Sequence, residues 1–130
     1  MKKQSRFVLS VFVFLLASPS VRAADQDGFE NRCGWIGNPT PANWDLIDKD
    51  GDWIISVQGG YEAQGMDTMP DYSEKKVYWK ETNGHYGYGC GCLLVKVDRK
   101  EKKILEIKGG PALPLSKCRS DPKIKGLAPD

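Results

Sequence analysis

Hydrophobic and polar residues alternate along much of the chain, which is the pattern of β-strands with one buried face. Three segments each place two or three large apolar side chains on one face, predicted to be the buried one: 52–58 (Trp53, Ile55, Val57), 77–82 (Val77, Trp79) and 104–108 (Leu105, Ile107). No segment of useful length repeats its apolar residues with the 3.6-residue period of a helix. The pattern therefore predicts an all-β fold, a small antiparallel barrel or sandwich of about five or six strands.

Turn signals separate the predicted strands. Asp50-Gly51 and Asn83-Gly84 are dipeptides that favour tight hairpin turns. The segment 38–43, Asn-Pro-Thr-Pro-Ala-Asn, has two prolines that each remove a backbone donor, so we expect a rigid loop there.

The strand after the second turn contains a conflict of register. Leu93, Val95 and Val97 share one face, which places Cys90 and Cys92 on the other. Either both faces of this strand are covered, or a bulge resets the alternation. Interleaved glycines are where strands kink, and we therefore favour a bulge at Gly89 or Gly91.

The N-terminus has the features of a secretory signal. Basic residues precede an apolar run at 7–17, and Val21-Arg22-Ala23 is suited to cleavage after Ala23. We therefore expect residues 1–23 to be removed and residues 24–130 to form a single disulfide-stabilised domain without a stable membrane anchor. Cleavage removes four of the 19 basic residues and none of the 17 acidic ones, so the mature net charge is −2. This charge and a periplasmic or secreted location argue against nucleic acid as a partner.

The cysteine count indicates disulfides. An even number of cysteines in a small exported chain is typical of structural cross-links, and all four lie after the predicted signal: Cys33, Cys90, Cys92 and Cys118. Direct pairing of Cys90 with Cys92 has the wrong geometry, which leaves either 33–90 with 92–118 or 33–92 with 90–118. The spacing is not that of a common zinc module, and Asp48, Asp50 and Asp52 lack the rest of a calcium loop. We expect no metal and no cofactor.

Several motifs in order carry a family resemblance. They are Cys33-Gly34-Trp35, the Asn-Pro-Thr-Pro-Ala-Asn segment, Gln58-Gly59-Gly60, and the Tyr-Gly-Tyr-Gly-Cys-x-Cys run at 86–92. The chain resembles a family of small exported bacterial proteins known only as a domain of unknown function. The resemblance implies bacterial export and a single domain, and it implies no activity and no catalytic residues.

Six aromatic residues outside the clearest core positions are candidates for ligand binding: Trp35, Trp44, Tyr61, His85, Tyr86 and Tyr88. Rigid aromatic groups on loops suit recognition of a glycan or a protein in the cell envelope, because they give contact area at low entropic cost. The sequence therefore favours a non-catalytic binding module, and a lysozyme-inhibitor-like or cell-wall-associated protein is one specific form. Two alternatives are a small hydrolase that uses His85 with a carboxylate, and an envelope accessory protein without a ligand.

Overall fold

The structure is a computed structural model, of which residues 28–129 are described. The predicted signal peptide at 1–23 lies outside these residues. The described chain forms β1 (Glu30–Thr40), β2 (Asn43–Asp48), β3 (Gly51–Ser56), α1 (Lys75–Tyr78), β4 (Trp79–Asn83), β5 (Tyr86–Asp98), β6 (Lys103–Ile107), β7 (Ala112–Leu113) and α2 (Leu115–Ser120). Within the described residues, neither helix has the length and apolar character needed to cross a membrane.

Five of the strands form a closed ring. Hydrogen bonds link β1 to β2, β2 to β3, β3 to β6, β6 to β5, and β5 back to β1. All of these pairs are antiparallel except β3–β6, which is parallel and meets at Ile54 and Lys103. Strands β4 and β7 add to β5 outside the ring. The prediction of a small antiparallel β fold is confirmed, with one strand more than expected.

The short β3–β6 contact is extended by the chain that follows β3. The amide of Ala63 donates to the carbonyl of Ile55 at 2.9 Å, and the amide of Gln64 donates to that of Leu105 at 3.0 Å. The carbonyl of Gln64 in turn accepts from the amide of Ile107 at 2.8 Å. This segment therefore supplies hydrogen bonds to both strands where they do not pair directly.

The interior of the ring is a continuous apolar core, formed by Ile36, Leu46, Trp53, Ile55, Ala63, Leu93, Val95, Ile104 and Ile107. The inward position predicted for Leu105 is wrong, because 39% of its side chain is exposed while Ile104 is buried. The ladder between β5 and β6 shifts register there, and the extra residue on β6 reverses the alternation.

Two other apolar residues predicted to share a core face are exposed. Val57 follows the last residue of β3 and therefore does not continue the buried face of that strand. Val77 lies in the short helix α1, and the strand begins two residues later at Trp79. In both cases the strand is shorter than the alternation suggested.

A second core lies on the outer side of the ring. Strand β5 pairs with β1 without a register shift, from Val95 opposite Glu30 to Gly87 opposite Asn38. The predicted bulge is therefore wrong, and the alternative holds: both faces of β5 are covered. The outer face is covered by residues 113–128, here named the C-terminal cover. The buried residues of this second core are Trp35, Tyr88, Cys90, Leu115, Cys118 and Ile124.

The disulfides select one of the two open pairings. Cys33 bonds to Cys92, its direct neighbour across the β1–β5 ladder. Cys90 bonds to Cys118 and ties the C-terminal cover to the sheet. Each bond closes a loop of tens of residues, which stabilises a fold by roughly 2–4 kcal/mol.

The proline-containing segment is a hairpin turn and not the rigid loop that was predicted. β1 runs to Thr40, Pro41 and Ala42 make the turn, and β2 begins at Asn43. Ala42 has φ 58°, a left-handed conformation that costs energy in a residue other than glycine. The side-chain nitrogen Nδ2 of Asn38 donates to the carbonyls of Thr40 and Asn43, at 2.9 and 2.8 Å, and holds the turn in place.

Candidate functional site

An open cleft lies at the end of the ring where β1 ends and β2 and β5 begin. Its volume is about 330 Å³. We name it the aromatic cleft; it is lined by Asn38, Trp44, Pro70, Asp71, Tyr72, Ser73, Trp79 and His85. These residues come from β1, β2, the segment 70–73, β4 and the turn before β5, so the cleft exists only in the folded protein.

Three rings in mutual contact form the wall of the aromatic cleft. The Trp79 ring lies 6.2 Å from that of Trp44 and 5.0 Å from that of Tyr72, centroid to centroid. Trp44 and Tyr72 are half-buried and pack against the interior core, which fixes their orientation. Aromatic pairs in tilted contact are more stable than their buried area alone implies. The wall is therefore a rigid surface in which the buried ring of Trp79 lies between the half-buried rings of Trp44 and Tyr72.

The glycines of β5 make room for this wall. A β-carbon at Gly89 would collide with the ring of Tyr72, and one at Gly91 would come within 2.8 Å of its hydroxyl. The Tyr72 hydroxyl donates to the carbonyl of Cys90 at 3.0 Å. Burial raises the pKa of this hydroxyl, so it remains a donor at any physiological pH.

His85 lies at the rim of the cleft and is positioned by a tight turn. Gly84 has φ 60°, the left-handed conformation that the Asn-Gly turn requires. The carbonyl of His85 accepts a hydrogen bond from the Trp79 indole nitrogen at 3.1 Å. Its ring lies against the ring of Tyr86, with centroids 4.3 Å apart. The residue is exposed, and it lines the cleft at its rim.

The polar groups of the cleft do not form a catalytic relay. In a hydrolytic relay the imidazole lies between the hydroxyl and the carboxylate. Here the hydroxyl of Ser73 donates directly to Asp71 Oδ2 at 3.1 Å, and the Ser73 amide donates to Asp71 Oδ1 at 2.8 Å. Within residues 28–129, no hydrogen bond joins the ring of His85 to either group. Asp71 and Ser73 form a local turn that places a carboxylate at the rim.

The structure brings some of the six predicted residues together. Trp44 and His85 line the aromatic cleft, and Tyr86 contacts His85. Tyr61 lies elsewhere, next to β6, where its hydroxyl donates to the carbonyl of Ile104 at 2.7 Å. A ligand-binding role for Trp44, His85 and Tyr86 stays a prediction.

Trp35 and Tyr88 have a packing role. Both are buried beneath the C-terminal cover, with ring centroids 5.3 Å apart in an edge-to-face contact. The Trp35 indole nitrogen donates to the carbonyl of Ile124 in the cover at 2.8 Å. Neither ring offers a surface that a ligand could reach without displacement of the cover.

Sequence reasoning missed two of the three rings of the aromatic wall, Tyr72 and Trp79. Alternation assigned Trp79 to the core, and its ring is indeed buried, but its neighbours make it the centre of the wall. Tyr72 follows the segment 59–71, a long stretch in which the sequence shows neither the strand nor the helix period. The length of that segment is a signal of function, because long loops in compact domains usually carry binding or catalytic residues.

A second, larger cleft lies beside the β2–β3 turn and has a different chemistry. Its volume is about 460 Å³, and we name it the ion-pair cleft. Arg32 Nη1 lies 2.6 Å from Asp48 and 3.0 Å from Asp50, and its Nε lies 2.6 Å from Glu30. The guanidinium also stacks on the ring of Trp53, 4.0 Å from its centroid.

The charges of the ion-pair cleft neutralise one another. Burial opposes ionisation of Glu30, but hydrogen bonds from Arg99 and Arg32 outweigh it and lower the pKa of that carboxyl. Hydrogen bonds from Arg32 and Lys49 lower the pKa of Asp50. These carboxylates are therefore committed to the protein's own donors and are poorly placed to bind a ligand.

A third carboxyl, on the outer face of β2, lacks such donors. Burial and the neighbouring charge of Asp52 raise the pKa of Asp45 to about 6. No hydrogen-bond partner in the described part of the chain reaches its buried Oδ1. That oxygen occupies the space a side chain at Gly37 would fill, so it lies against β1 on the outer face.

No three histidine, cysteine, aspartate or glutamate side chains among residues 28–129 are grouped as a metal site requires.

Comparisons with known proteins identify a family but no function. Searches of the curated proteins and of the solved structures found no significant match. The profile of one family, described as protein of unknown function DUF4087, matches residues 27–125. This match covers both cores, both disulfides and both clefts, and it spans about three quarters of the chain. The chain therefore belongs to the DUF4087 family.

Proposed function

We propose that this protein is an exported, single-domain, non-catalytic module whose aromatic cleft binds a glycan of the cell envelope. The observation that carries the proposal is the wall of three rings in tilted contact, formed by Trp44, Tyr72 and Trp79, in an open cleft. Rings held this firmly have little entropy to lose when a ligand stacks on them.

A sugar ring matches the chemistry of this cleft. Its carbon–hydrogen face packs on an aromatic ring, while its hydroxyls need polar partners at the edge. The carboxylate of Asp71 and the imidazole of His85 supply such partners on the rim. A few polar groups around an apolar surface are the usual composition of a small-molecule site.

The disulfides support the envelope location. Two disulfides and no free cysteine within residues 28–129 indicate an oxidising, non-cytoplasmic compartment. The signal-like segment at 1–23 extends this to the periplasm or the outside of the cell. Glycans are abundant in that compartment, and a cell-wall polymer is the first ligand to test.

The binding test uses purified peptidoglycan and the oxidised protein. Trp44→Leu keeps an apolar side chain against the core but removes the ring, and should weaken binding about tenfold. Tyr61→Phe is the matched control, since it alters an aromatic residue away from the cleft and should bind as the wild type does. Equal affinities of the Trp44→Leu variant and the control would refute the proposal.

Two further arms separate the alternatives. Capture of a lysozyme by the wild type, with loss in Trp44→Leu and no binding of peptidoglycan, would assign the cleft to a protein ligand. Release of soluble fragments from peptidoglycan, abolished in His85→Ala, would support the hydrolase alternative and overturn the non-catalytic assignment.

A further inference from the structure

The two disulfides lie near one another on the outer side of the ring but differ in exposure. Cys33 bonds to Cys92 across the β1–β5 ladder, and Cys90, on the same face of β5 as Cys92, bonds to Cys118 in the C-terminal cover. Cys90 and Cys118 are each only 2% exposed. In the other bond, Cys33 is exposed and Cys92 is half-buried. The fold therefore buries one disulfide and leaves the other open to solvent.

The exposed disulfide adjoins two cavities. All four cysteines line a small cavity of about 170 Å³, together with residues of the C-terminal cover. Of the four cysteines, which all lie in the described part of the chain, only Cys33 also lines the ion-pair cleft. A thiol in solution can therefore reach Cys33, whereas it reaches the bond between Cys90 and Cys118 only if the cover moves.

A neighbouring side chain is placed to stabilise Cys33 as a thiolate. Asn31 lies two residues before Cys33 on β1, and its Nδ2 donates to the Cys33 sulfur at 3.6 Å. A hydrogen bond to the charged form of a group favours that form. In thiol–disulfide exchange the departing sulfur leaves as a thiolate, and a more stable thiolate leaves faster. Asn31 therefore favours the release of Cys33.

The β1–β5 ladder does not need the exposed disulfide to keep its register. Strand pairing continues on both sides of Cys33 and Cys92 without a shift, and the adjacent Leu93 is buried in the interior core. After reduction, the two thiols should therefore remain opposite each other on paired strands, where the bond can form again. A site of reversible exchange requires this property.

We propose that the Cys33–Cys92 disulfide is a site of reversible thiol–disulfide exchange with an external thiol, and that Cys90–Cys118 is the structural bond. Exposed disulfides are the labile ones in proteins, and shielded structural ones resist reduction. This chemistry is separate from the aromatic cleft and does not depend on the ligand of that cleft.

The exchange proceeds in two displacements. An external thiolate attacks the sulfur of Cys33, the bond to Cys92 breaks, and its electron pair leaves with the Cys92 sulfur, which takes up a proton from water. A second thiolate attacks the external sulfur of this mixed disulfide, and Cys33 leaves as a thiolate and is protonated in turn. In total, two external thiols are oxidised to one disulfide, and Cys33–Cys92 is reduced to two thiols.

The first test is stepwise reduction of the native protein by dithiothreitol, followed by alkylation and mass spectrometry of each cysteine. Cys33 and Cys92 should be alkylated about tenfold faster than Cys90 and Cys118, while circular dichroism shows that the fold is retained. The same protein in concentrated urea is the control, because unfolding makes both bonds accessible. The two rates should then agree within about twofold.

The second test examines the exposed sulfur directly. Cys92→Ser leaves Cys33 unpaired and retains the Cys90–Cys118 bond, and oxidised glutathione should then form a mixed disulfide with Cys33. In the wild type, reduced glutathione and reduced thioredoxin at equal thiol concentration distinguish a small thiol from a protein dithiol as the reactant. Selective reduction of Cys33–Cys92 by either one supports the proposal.

Three results would overturn the proposal. One is reduction of both disulfides at the same rate in the native protein. Another is loss of circular dichroism in step with reduction of Cys33–Cys92, which would make this bond structural as well. The third is the absence of a mixed disulfide on Cys33 in a Cys92→Ser variant that thermal melting shows to be folded.

Discussion

The two clefts of this protein differ in what their side chains already do. In the ion-pair cleft, Arg32 is satisfied by Glu30, Asp48 and Asp50, and the carboxylates have their donors within the protein. In the aromatic cleft, the half-buried rings of Trp44 and Tyr72 contact the buried ring of Trp79 and line an open space. The ion-pair cleft is the larger, at about 460 against 330 Å³, so size does not identify the candidate site.

The difference teaches that a binding site is better recognised by side chains that are not already committed to partners in the protein than by the volume of the cleft. A buried ion pair is costly to desolvate and is maintained by mutual attraction, so a ligand would have to displace a partner. A rigid aromatic surface gains from being covered. We therefore expect substitutions in the ion-pair cleft to change stability, and substitutions in the aromatic cleft to change binding.

Arg32→Ala should produce the largest effect. The substitution leaves the buried carboxylate of Asp48 without its cation, and breaking such a pair costs about 3 kcal/mol of unfolding free energy. Urea denaturation measures the loss. Arg99→Ala is the control, because Arg99 is exposed and its ion pair should contribute less than about 1 kcal/mol. Similar losses in the two variants would contradict a structural role for the ion-pair cleft.

Asp45→Asn should have an intermediate effect, and it should depend on pH. The folded-state pKa of Asp45 is about 6 because of burial first and the charge of Asp52 second, whereas an unfolded Asp has a pKa of about 3.9. The ionised carboxyl therefore destabilises the fold fully above pH 6, and the penalty disappears as pH falls from 6 toward 4. Asn should stabilise the protein at pH 7 by about 1–2 kcal/mol, after allowance for screening at a partly exposed site.

The measurement is thermal melting of the wild type and the variant between pH 4.5 and 7.5. The stability difference between them should shrink as pH falls through 6. A constant difference across this range would show that Asp45 does not have the raised pKa and that its environment is less buried than the geometry indicates.

His85→Ala should change stability least. Its imidazole is exposed, and its link to the cleft wall is made by a backbone carbonyl that the substitution retains. We expect a change within about 0.5 kcal/mol, together with weaker binding to peptidoglycan. A loss of stability comparable to that of Arg32→Ala would show that the aromatic cleft is also a structural cluster, and the contrast between the clefts would fail.

The alternation of hydrophobic and polar residues was sufficient to predict the class of fold but not the boundaries of every strand. Alternation correctly placed Trp53 and Ile55 inside, because nearest neighbours on a strand point to opposite faces. It failed at Leu105, where a bulge adds one residue, and at Val77, where the chain is still helical. Both features depend on which strand pairs with which, and that information is not local.

The candidate site was less predictable than the fold. Tyr72 and Trp79 are neighbours only because β5 has glycines where Tyr72 packs and because β4 folds back beside it. An aromatic residue has the same local signal whether it packs under a cover, as Trp35 does, or lines a cleft, as Trp44 does. Exposure of one ring face is decided by the elements that pack on it.

The sequence by itself determined that this is a β protein held by cysteines, because strand period, turn dipeptides and residue counts are properties of neighbouring residues. Only the tertiary structure decided that Cys33 joins Cys92 and Cys90 joins Cys118, that both faces of β5 are buried, and that three rings form one wall. The physical reason is that the hydrophobic effect specifies which residues leave water, but not which partner covers them. Strand pairing makes that choice, over separations of tens of residues.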